Sequence, residues 1–388
     1  MQIYNDYCTG CGLCSTVCPR GCISLVIDKL GNRKPIIDES KCIHCDKCKN
    51  YCPQNNFVIS NDIPRRVYVG WNNDAQVRTK GASGGIASAI YKYCLENNIH
   101  TFGVRLDSNF IASYIEINTD VDIELCRNSK YVFSDFLTVI DKIKTYIDNG
   151  EKVLFIGLPC QVAAVKMLCN KHTENLIAID LVCHGSCSNE YLIQYINFIS
   201  HKYKFRTSGI TFRNPIFGTN NYVLSFYEGD NLKYKRKVHS DDLYQMAYHY
   251  SLDYRDSCYH CHYAKPERVG DITLSDFSGI GIIAEFNEDK KSISCIIISS
   301  DKGDAFIREL YNIGLICIQD RPIDEALKFE PKLKNPPKMH PKREVFIDSY
   351  RETGDFIKAA QRALRRDLFL NTFKVRKIKQ VARKILKG

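Results

Sequence analysis

The sequence predicts an α/β protein, with a small α+β cysteine-rich module ahead of a larger mixed α/β body. Three observations predict it. The run Cys-x2-Cys-x2-Cys-x3-Cys-Pro occurs twice within the first 53 residues. Buried-strand and helix patterns alternate between Lys152 and Ser200, which indicates parallel α/β structure. The chain has 388 residues, 44% of them hydrophobic, enough for one large core or two medium ones beside the small module.

The N-terminal runs are Cys8, Cys11, Cys14, Cys18-Pro19 and Cys42, Cys45, Cys48, Cys52-Pro53. This is the bacterial two-cluster [4Fe–4S] ferredoxin spacing. Three cysteines two residues apart can wrap one corner of a cube. The fourth lies too far along to close the same cube and serves the other one. The expected sets are therefore Cys8, Cys11, Cys14 with Cys52, and Cys42, Cys45, Cys48 with Cys18. Zinc is the alternative, but zinc motifs seldom place a third and fourth cysteine at these spacings before a proline. Cys22 fits neither set and is expected as a packing residue. Ile23 to Asp38 reads as a short hairpin around Lys29-Leu30-Gly31-Asn32. The module is expected to end near Ser60, with residues 61–66 as linker.

More than 300 residues follow, so the module is expected to serve as a wire and the chemistry to lie downstream. Arg66–Gly70 and Thr101–Val104 read as strands, and a helix is expected from near Ser83. Lys80-Gly81-Ala82-Ser83-Gly84-Gly85 before that helix is an anion seat, or else a plain capped helix start. Lys152–Gly157 reads as a buried strand, Leu158–Gln161 as a turn, and Val162–Cys169 as the start of a helix. Ile177–Val182 is the next strand, and Ser188 caps a helix over Asn189–Ser200. Cys160 and Cys183 thus fall at the C-terminal ends of strands, where ligands gather on parallel sheets. Together with Cys258-x2-Cys261 they make four thiols, a third metal centre in expectation. Cys187 is a substitute ligand, and His260 or His262 could compete. A third [4Fe–4S] cluster, a structural zinc and unpaired buried thiols all remain open on spacing alone.

Nineteen cysteines in a chain that starts Met1-Gln2-Ile3-Tyr4-Asn5-Asp6, without a secretory pattern, suggest metal ligands in a reducing compartment rather than disulfides. The expected location is cytoplasmic. The formal charge of +10 belongs to the apo chain. Three clusters at about −2 each with their thiolates would bring it to roughly +4, so no nucleic-acid partner is expected.

Five motifs carry a family resemblance: Lys80–Gly85; Gly157-Leu158-Pro159-Cys160-Gln161; Asp180-Leu181-Val182-Cys183-His184-Gly185; Cys258-x2-Cys261; and Gly270-Asp271-Ile272-Thr273-Leu274-Ser275-Asp276-Phe277. They span about residues 66 to 300, and together they resemble the family of beta subunits of coenzyme F420 hydrogenases and dehydrogenases. A fused N-terminal ferredoxin is common in that family. The resemblance implies FAD, a [4Fe–4S] cluster on Cys160, Cys183, Cys258 and Cys261, and a flavin near Lys80, Ser83, Gly84 and Gly85. It also implies two-electron reduction of a deazaflavin or another organic acceptor. Plant chlorophyll-cycle reductases resemble the same family, so the substrate is not fixed by the fold. Cys187 stands where relatives often carry a small residue, and Ser275 precedes Asp276 where relatives often have glycine.

The expected activity is a flavin-dependent iron–sulfur oxidoreductase. Single electrons would pass through the clusters to or from a flavin that exchanges a hydride with a small-molecule acceptor. The electron donor would be a redox partner protein or ferredoxin. Asp276 and Lys80 are candidates for polar contacts to flavin or substrate, and His184 for a hydrogen bond or a proton. The alternative is a non-catalytic electron-transfer subunit serving a separate partner enzyme. The expected division is 1–60, the ferredoxin module; 66–148 and 150–330, the two halves of the body; and 331–388, a basic connector and amphipathic helix. Pro331–Arg343 reads as an exposed, extended connector. Phe356–Leu386 reads as a helix with a basic end from Lys374; it would lie on an anionic membrane surface or dock an acidic partner, or else pack on its own domain with that face solvated.

Overall fold

The computed structural model describes residues 3–4, 7–56, 64–169, 173–218, 221–238 and 240–372. The expected end of the small module, the first half of its linker, and the basic stretch from Lys374 lie outside the described residues.

The N-terminal module forms a two-stranded hairpin, β1 (Ile23–Ile27) against β2 (Arg33–Ile37), antiparallel with Ile27 opposite Arg33. Asp28 makes the turn by accepting the amides of Leu30 and Asn32 at 2.9 and 2.8 Å. Gly31 there has φ 75°, a left-handed conformation that favours glycine.

The remaining strands are β3 (Arg66–Asn72), β4 (His100–Leu106), β5 (Ala112–Glu116), β6 (Val153–Gly157), β7 (Leu176–Leu181), β8 (Gly209–Thr211), β9 (Val223–Glu228), β10 (Asn231–Lys237), β11 (Ile272–Ser275), β12 (Ser294–Ile298) and β13 (Ile316–Arg321). Eight of them form one mixed sheet in the order β13-β3-β12-β11-β7-β6-β4-β5. Its centre, β11-β7-β6-β4, is parallel, and both flanks are antiparallel. The strand β6 is buried at all five positions, as a central strand covered on both faces must be. Strands from both sides of residue 149 enter this sheet. Strands β8, β9 and β10 form a separate antiparallel sheet.

Helix Ile86–Glu96 packs with helix Asp301–Asn312 over one part of the large sheet. Helices Leu137–Asp148 and Pro159–Leu168 build another core with Phe102, Phe155 and Ala178. Leu13 and Cys11 of the N-terminal module belong to that same core, so the module is packed into the body. Arg33–Asp135 at 2.5 Å, Tyr263 Oη donating to the Pro53 carbonyl at 3.1 Å, and the Tyr7–His260 ring stack at 4.0 Å hold it there.

The structure departs from the expectation in two places. Leu158–Gln161 is not a free turn. Pro159 opens the helix, a position that suits it because its missing N–H has no intrahelical partner to lose. The stretch from Pro331 is pinned at Leu333 and Arg343, 1% and 3% exposed, and Arg343 begins a helix through Thr353. The helix Phe356–Thr372 places Ala360 and Leu364, both 0% exposed, in the core beside Tyr191 and Phe346. Its described part therefore packs on its own protein. No described helix is long and apolar enough to cross a membrane.

Candidate functional site

The two cysteine runs fold as crossed sets. One small cavity is lined by Cys8, Cys11, Cys14 and Cys52, the other by Cys18, Cys42, Cys45 and Cys48. Gly10 and Gly12 take φ of 65° and 78°, which turns backbone amides inward; the Gly10 N–H donates to Cys8 Sγ at 3.2 Å. Four thiols around a small void are the donor set of a [4Fe–4S] cluster, and the residues present fit two such clusters. Cys22 is buried as expected, but its Sγ lies 3.4 Å from Cys18 Sγ and it lines the same void. The first void faces the body, whereas Cys45 of the second is exposed.

The four cysteines of the body also converge. Each is held by a local device. Gly157 ends β6 where any Cβ would meet the Phe155 ring at 2.6 Å and Tyr114 Oη at 2.7 Å. Gln161, fully buried, accepts from the Leu158 amide and Tyr114 Oη and donates to the Ser134 carbonyl. That network fixes the first helical turn and Cys160 with it. Cys183 follows β7 by two residues. Gly185 has φ 132° and lies against the Tyr254 ring, which a Cβ would approach to 2.2 Å. Cys258 sits on the short helix Asp256–Tyr259, and Cys261 lies just beyond.

Burial pushes all four thiols up, Cys183 to about 12 and Cys258 to about 11. Cys261, Cys183 and Cys258 add to the rise at Cys160, because the four groups are close neighbours. Loading such a site therefore displaces protons. Arg268, Arg255 and Arg343 supply opposing positive charge. Arg268, 2% exposed, is paired with the fully buried Asp180 at 3.1 Å and donates to the Tyr263 and Leu181 carbonyls. A four-thiol set of this kind fits a third cluster. Cys187 is not part of it; its Sγ contacts Tyr244 Oη at 3.3 Å and the Tyr131 carbonyl at 3.4 Å. His260 is stacked on Tyr7.

Beside these thiols lies a cavity of about 720 Å³, within the range of sites that hold small molecules and cofactors. Cys183 lines both. Because β6, β7 and β11 are parallel neighbours, their C-terminal ends deliver Leu158, Cys183 and Asp276 to one edge of the sheet, and all three reach the cavity. Among the expected residues, Ser83, Gly85, His184 and Asp276 line it as well. Lys80 does not. It ends the short helix Ala75–Lys80 on an exposed face. Gly84 is turned to the sheet instead, its N–H donating to Ser294 Oγ at 2.9 Å. Asp276 accepts from Arg213 Nη1 at 2.9 Å and Tyr222 Oη at 2.9 Å. His184 opens onto the cavity while protein surrounds it, and burial, as the largest influence, holds its imidazole below the ordinary value.

Sequence reasoning missed the loop Arg127–Tyr131 on the opposite wall. The Lys130 ammonium donates to the carbonyls of Leu125 and Arg127, at 3.1 and 2.9 Å, at the end of helix Asp120–Cys126. Burial pushes it down to about 8. Arg127 pairs with Glu124, and its side chain is 8% exposed. Among the described residues, Arg127 Nε, Asn128 Oδ1 and Ser186 Oγ are buried at this cavity without hydrogen-bond partners. Helix Ile86–Glu96 aims its N-terminus, with Gly81–Ser83, into the same space. Cationic side chains and an open helix N-terminus around a large void fit a phosphate-bearing flavin.

Comparison with known proteins identifies the family. Residues 67–141 match the family of the N-terminal part of the coenzyme F420 hydrogenase/dehydrogenase beta subunit, and residues 150–324 match the family of its C-terminal part. Residues 7–56 match a 4Fe-4S dicluster domain. The F subunit of the F(420)H(2) dehydrogenase of Methanosarcina mazei is 24% identical over 208 residues, covering 50% of this chain and 58% of that protein. The coenzyme F420-dependent sulfite reductase of Methanocaldococcus jannaschii is 28% identical over 166 residues, covering 42% of this chain and 25% of that protein. This chain thus spans about half and a quarter, respectively, of the length of these relatives. The solved F420-reducing [NiFe] hydrogenase complex from Methanosarcina barkeri aligns with a TM-score of 0.47 at 15% identity, over 77% of this chain and 90% of that chain. The chain belongs to the family of coenzyme F420 hydrogenase/dehydrogenase beta subunits and carries a 4Fe-4S dicluster domain at its N-terminus.

Proposed function

We propose that this chain is a flavin-dependent iron–sulfur oxidoreductase subunit. In this reading it relays single electrons between a redox partner protein and a flavin that serves an organic hydride acceptor. One observation carries it: Cys183 belongs to the four-thiol set and also lines the 720 Å³ cavity. A one-electron centre there would adjoin the cofactor space directly. The order of centres follows from exposure. The Cys18, Cys42, Cys45 and Cys48 site, with Cys45 exposed, meets the partner. The Cys8, Cys11, Cys14 and Cys52 site, packed against the body, comes next. Cys160, Cys183, Cys258 and Cys261 hold the last cluster before the flavin. When bound, the flavin supplies the exchange between single electrons and a hydride.

The chain's own residues have distinct tasks. Lys130, Arg127 and the helix start at Ser83–Ile86 bind the flavin phosphates, in place of Lys80. Asp276, held by Arg213 and Tyr222, presents a fixed acceptor to flavin or substrate, and His184 offers a proton at the cavity wall. The acceptor is a deazaflavin such as coenzyme F420 or another organic molecule, and the same path runs in either direction.

The test is anaerobic. Reduced methyl viologen is mixed with the holoprotein and a deazaflavin. Reduction of the deazaflavin that depends on bound flavin supports the proposal. Clusters that reduce with no flavin bound and no acceptor turnover would contradict it, and would favour a non-catalytic electron-transfer subunit.

A further inference from the structure

Arg255 stands out among the buried charges. It is 5% exposed. Its Nε donates to Asn32 Oδ1 in the N-terminal hairpin at 3.2 Å. Its guanidinium lies 3.8 Å over the Phe133 ring. Its Nη2 abuts Gly10, where any Cβ would come within 2.4 Å, between Cys8 and Cys11. On the other side Arg255 caps the short helix Asp256–Tyr259, its carbonyl accepting the Cys258 N–H at 2.9 Å. The residue therefore touches the loop of the inner ferredoxin site with its side chain and holds Cys258 of the four-thiol site through its backbone.

Its neighbours show what is unusual about it. Arg268 and Arg343 also face the four-thiol site, but Arg268 is paired with Asp180 and Arg343 with Asp256. Among the described residues no carboxylate pairs with Arg255, and its buried Nη2 has no hydrogen-bond partner. An unpaired buried cation is strongly disfavoured unless anionic charge compensates it. A [4Fe–4S] cluster with its four thiolates is anionic, and Arg255 has such a site on either side.

We propose that Arg255 is a positioning residue that sets the reduction potentials of the inner ferredoxin cluster and the body cluster together. A fixed positive charge favours the more negative, reduced form of both. It would hold the two adjacent potentials up relative to the outer cluster and so favour passage of the electron inward. The inference rests on the three-cluster reading above.

The test is a redox titration of the anaerobically purified holoprotein, followed by electron paramagnetic resonance, after iron has been counted. About twelve irons per wild-type chain are needed; about eight would be a failure of the three-cluster reading rather than of this inference. With iron intact, Arg255→Met should shift the inner and body clusters to lower potential and leave the outer cluster in place. Arg255→Lys should stay near wild type. Loss of iron in Arg255→Met but not in Arg255→Lys would be the same charge requirement in stronger form. Unmoved potentials in Arg255→Met, an equal shift of all three clusters, or an Arg255→Lys variant that behaves like Arg255→Met would each overturn the proposal.

Discussion

Replacing Asp180 with asparagine tests how the sheet edge holds the body thiols. Asp180 is 0% exposed and accepts four N–H groups: Arg268 Nε at 3.3 Å and Nη2 at 3.1 Å, and the amides of Val269 and Gly270 at 3.2 and 3.0 Å. Asparagine keeps the shape but offers one oxygen, and its amide faces donors. Arg268 then remains buried without a counterion. Breaking a buried pair in this way costs about 3–5 kcal/mol. At roughly 2 °C per kcal/mol for a large chain, the melting temperature should fall by about 6–10 °C. The exposed pair Arg66–Asp320, 41% and 71% exposed, is the comparison. Asp320→Asn should cost no more than about 1 kcal/mol. The assay is an anaerobic thermal scan of both variants. A second readout is the potential of the body cluster. It should rise in Asp180→Asn, because the Arg268 charge near Cys183 and Cys261 is no longer neutralised. Equal small losses in both variants, with no shift in potential, would refute the reasoning.

Three further outcomes follow from the same geometry. Cys52→Ala should remove the cluster served by Cys8, Cys11 and Cys14 and spare that of its own run, seen as loss of one of two ferredoxin signals in electron paramagnetic resonance. Gly185→Ala forces a Cβ into the Tyr254 ring at a φ of 132°, so it should cost the body cluster, about four irons per chain, while the ferredoxin signals persist. Lys130 is lowered to about 8 when folded, whereas an unfolded lysine keeps its proton to about pH 10. Unfolding therefore takes up a proton between those values, and stability should gain up to about 1.4 kcal/mol per pH unit from pH 8 towards 10. Across the same range the ammonium is lost and anion binding at the cavity should weaken. Denaturant midpoints and flavin affinity measured against pH check both, and Lys130→Met should flatten both profiles.

What the sequence revealed was the local part. The spacing of Cys8 to Cys52 already implies crossed sets, because ligand order along a short chain leaves few ways to wrap a cube. The strands at Val153–Gly157 and Leu176–Leu181 were legible as buried runs, and Ser188 as a cap, for equally local reasons. The order of the eight strands was not, since β3 pairs with β12 and β13 from more than 200 residues away. Separations of 63 and 54 residues likewise hid Arg213 and Tyr222, which reach Asp276 from outside any motif. Lys80 looked like the cation of an anion seat because it adjoins the glycines, but helix Ala75–Lys80 ends with its side chain exposed. Lys130 lines the cavity instead, and its burial there leaves no mark on spacing. The C-terminal helix is equally suited, by pattern, to a membrane surface or acidic partner and to its own domain. In its described part, Ala360 and Leu364 take the second course.

The content of the purified protein tests the three-cluster flavoprotein most directly. Iron and released flavin per chain, measured after anaerobic purification, should come to about twelve irons and one FAD, since three clusters hold about four irons each. About eight irons without flavin would contradict it. The thiols of Cys160, Cys183, Cys258 and Cys261 would then lie beside a cavity that serves some other purpose.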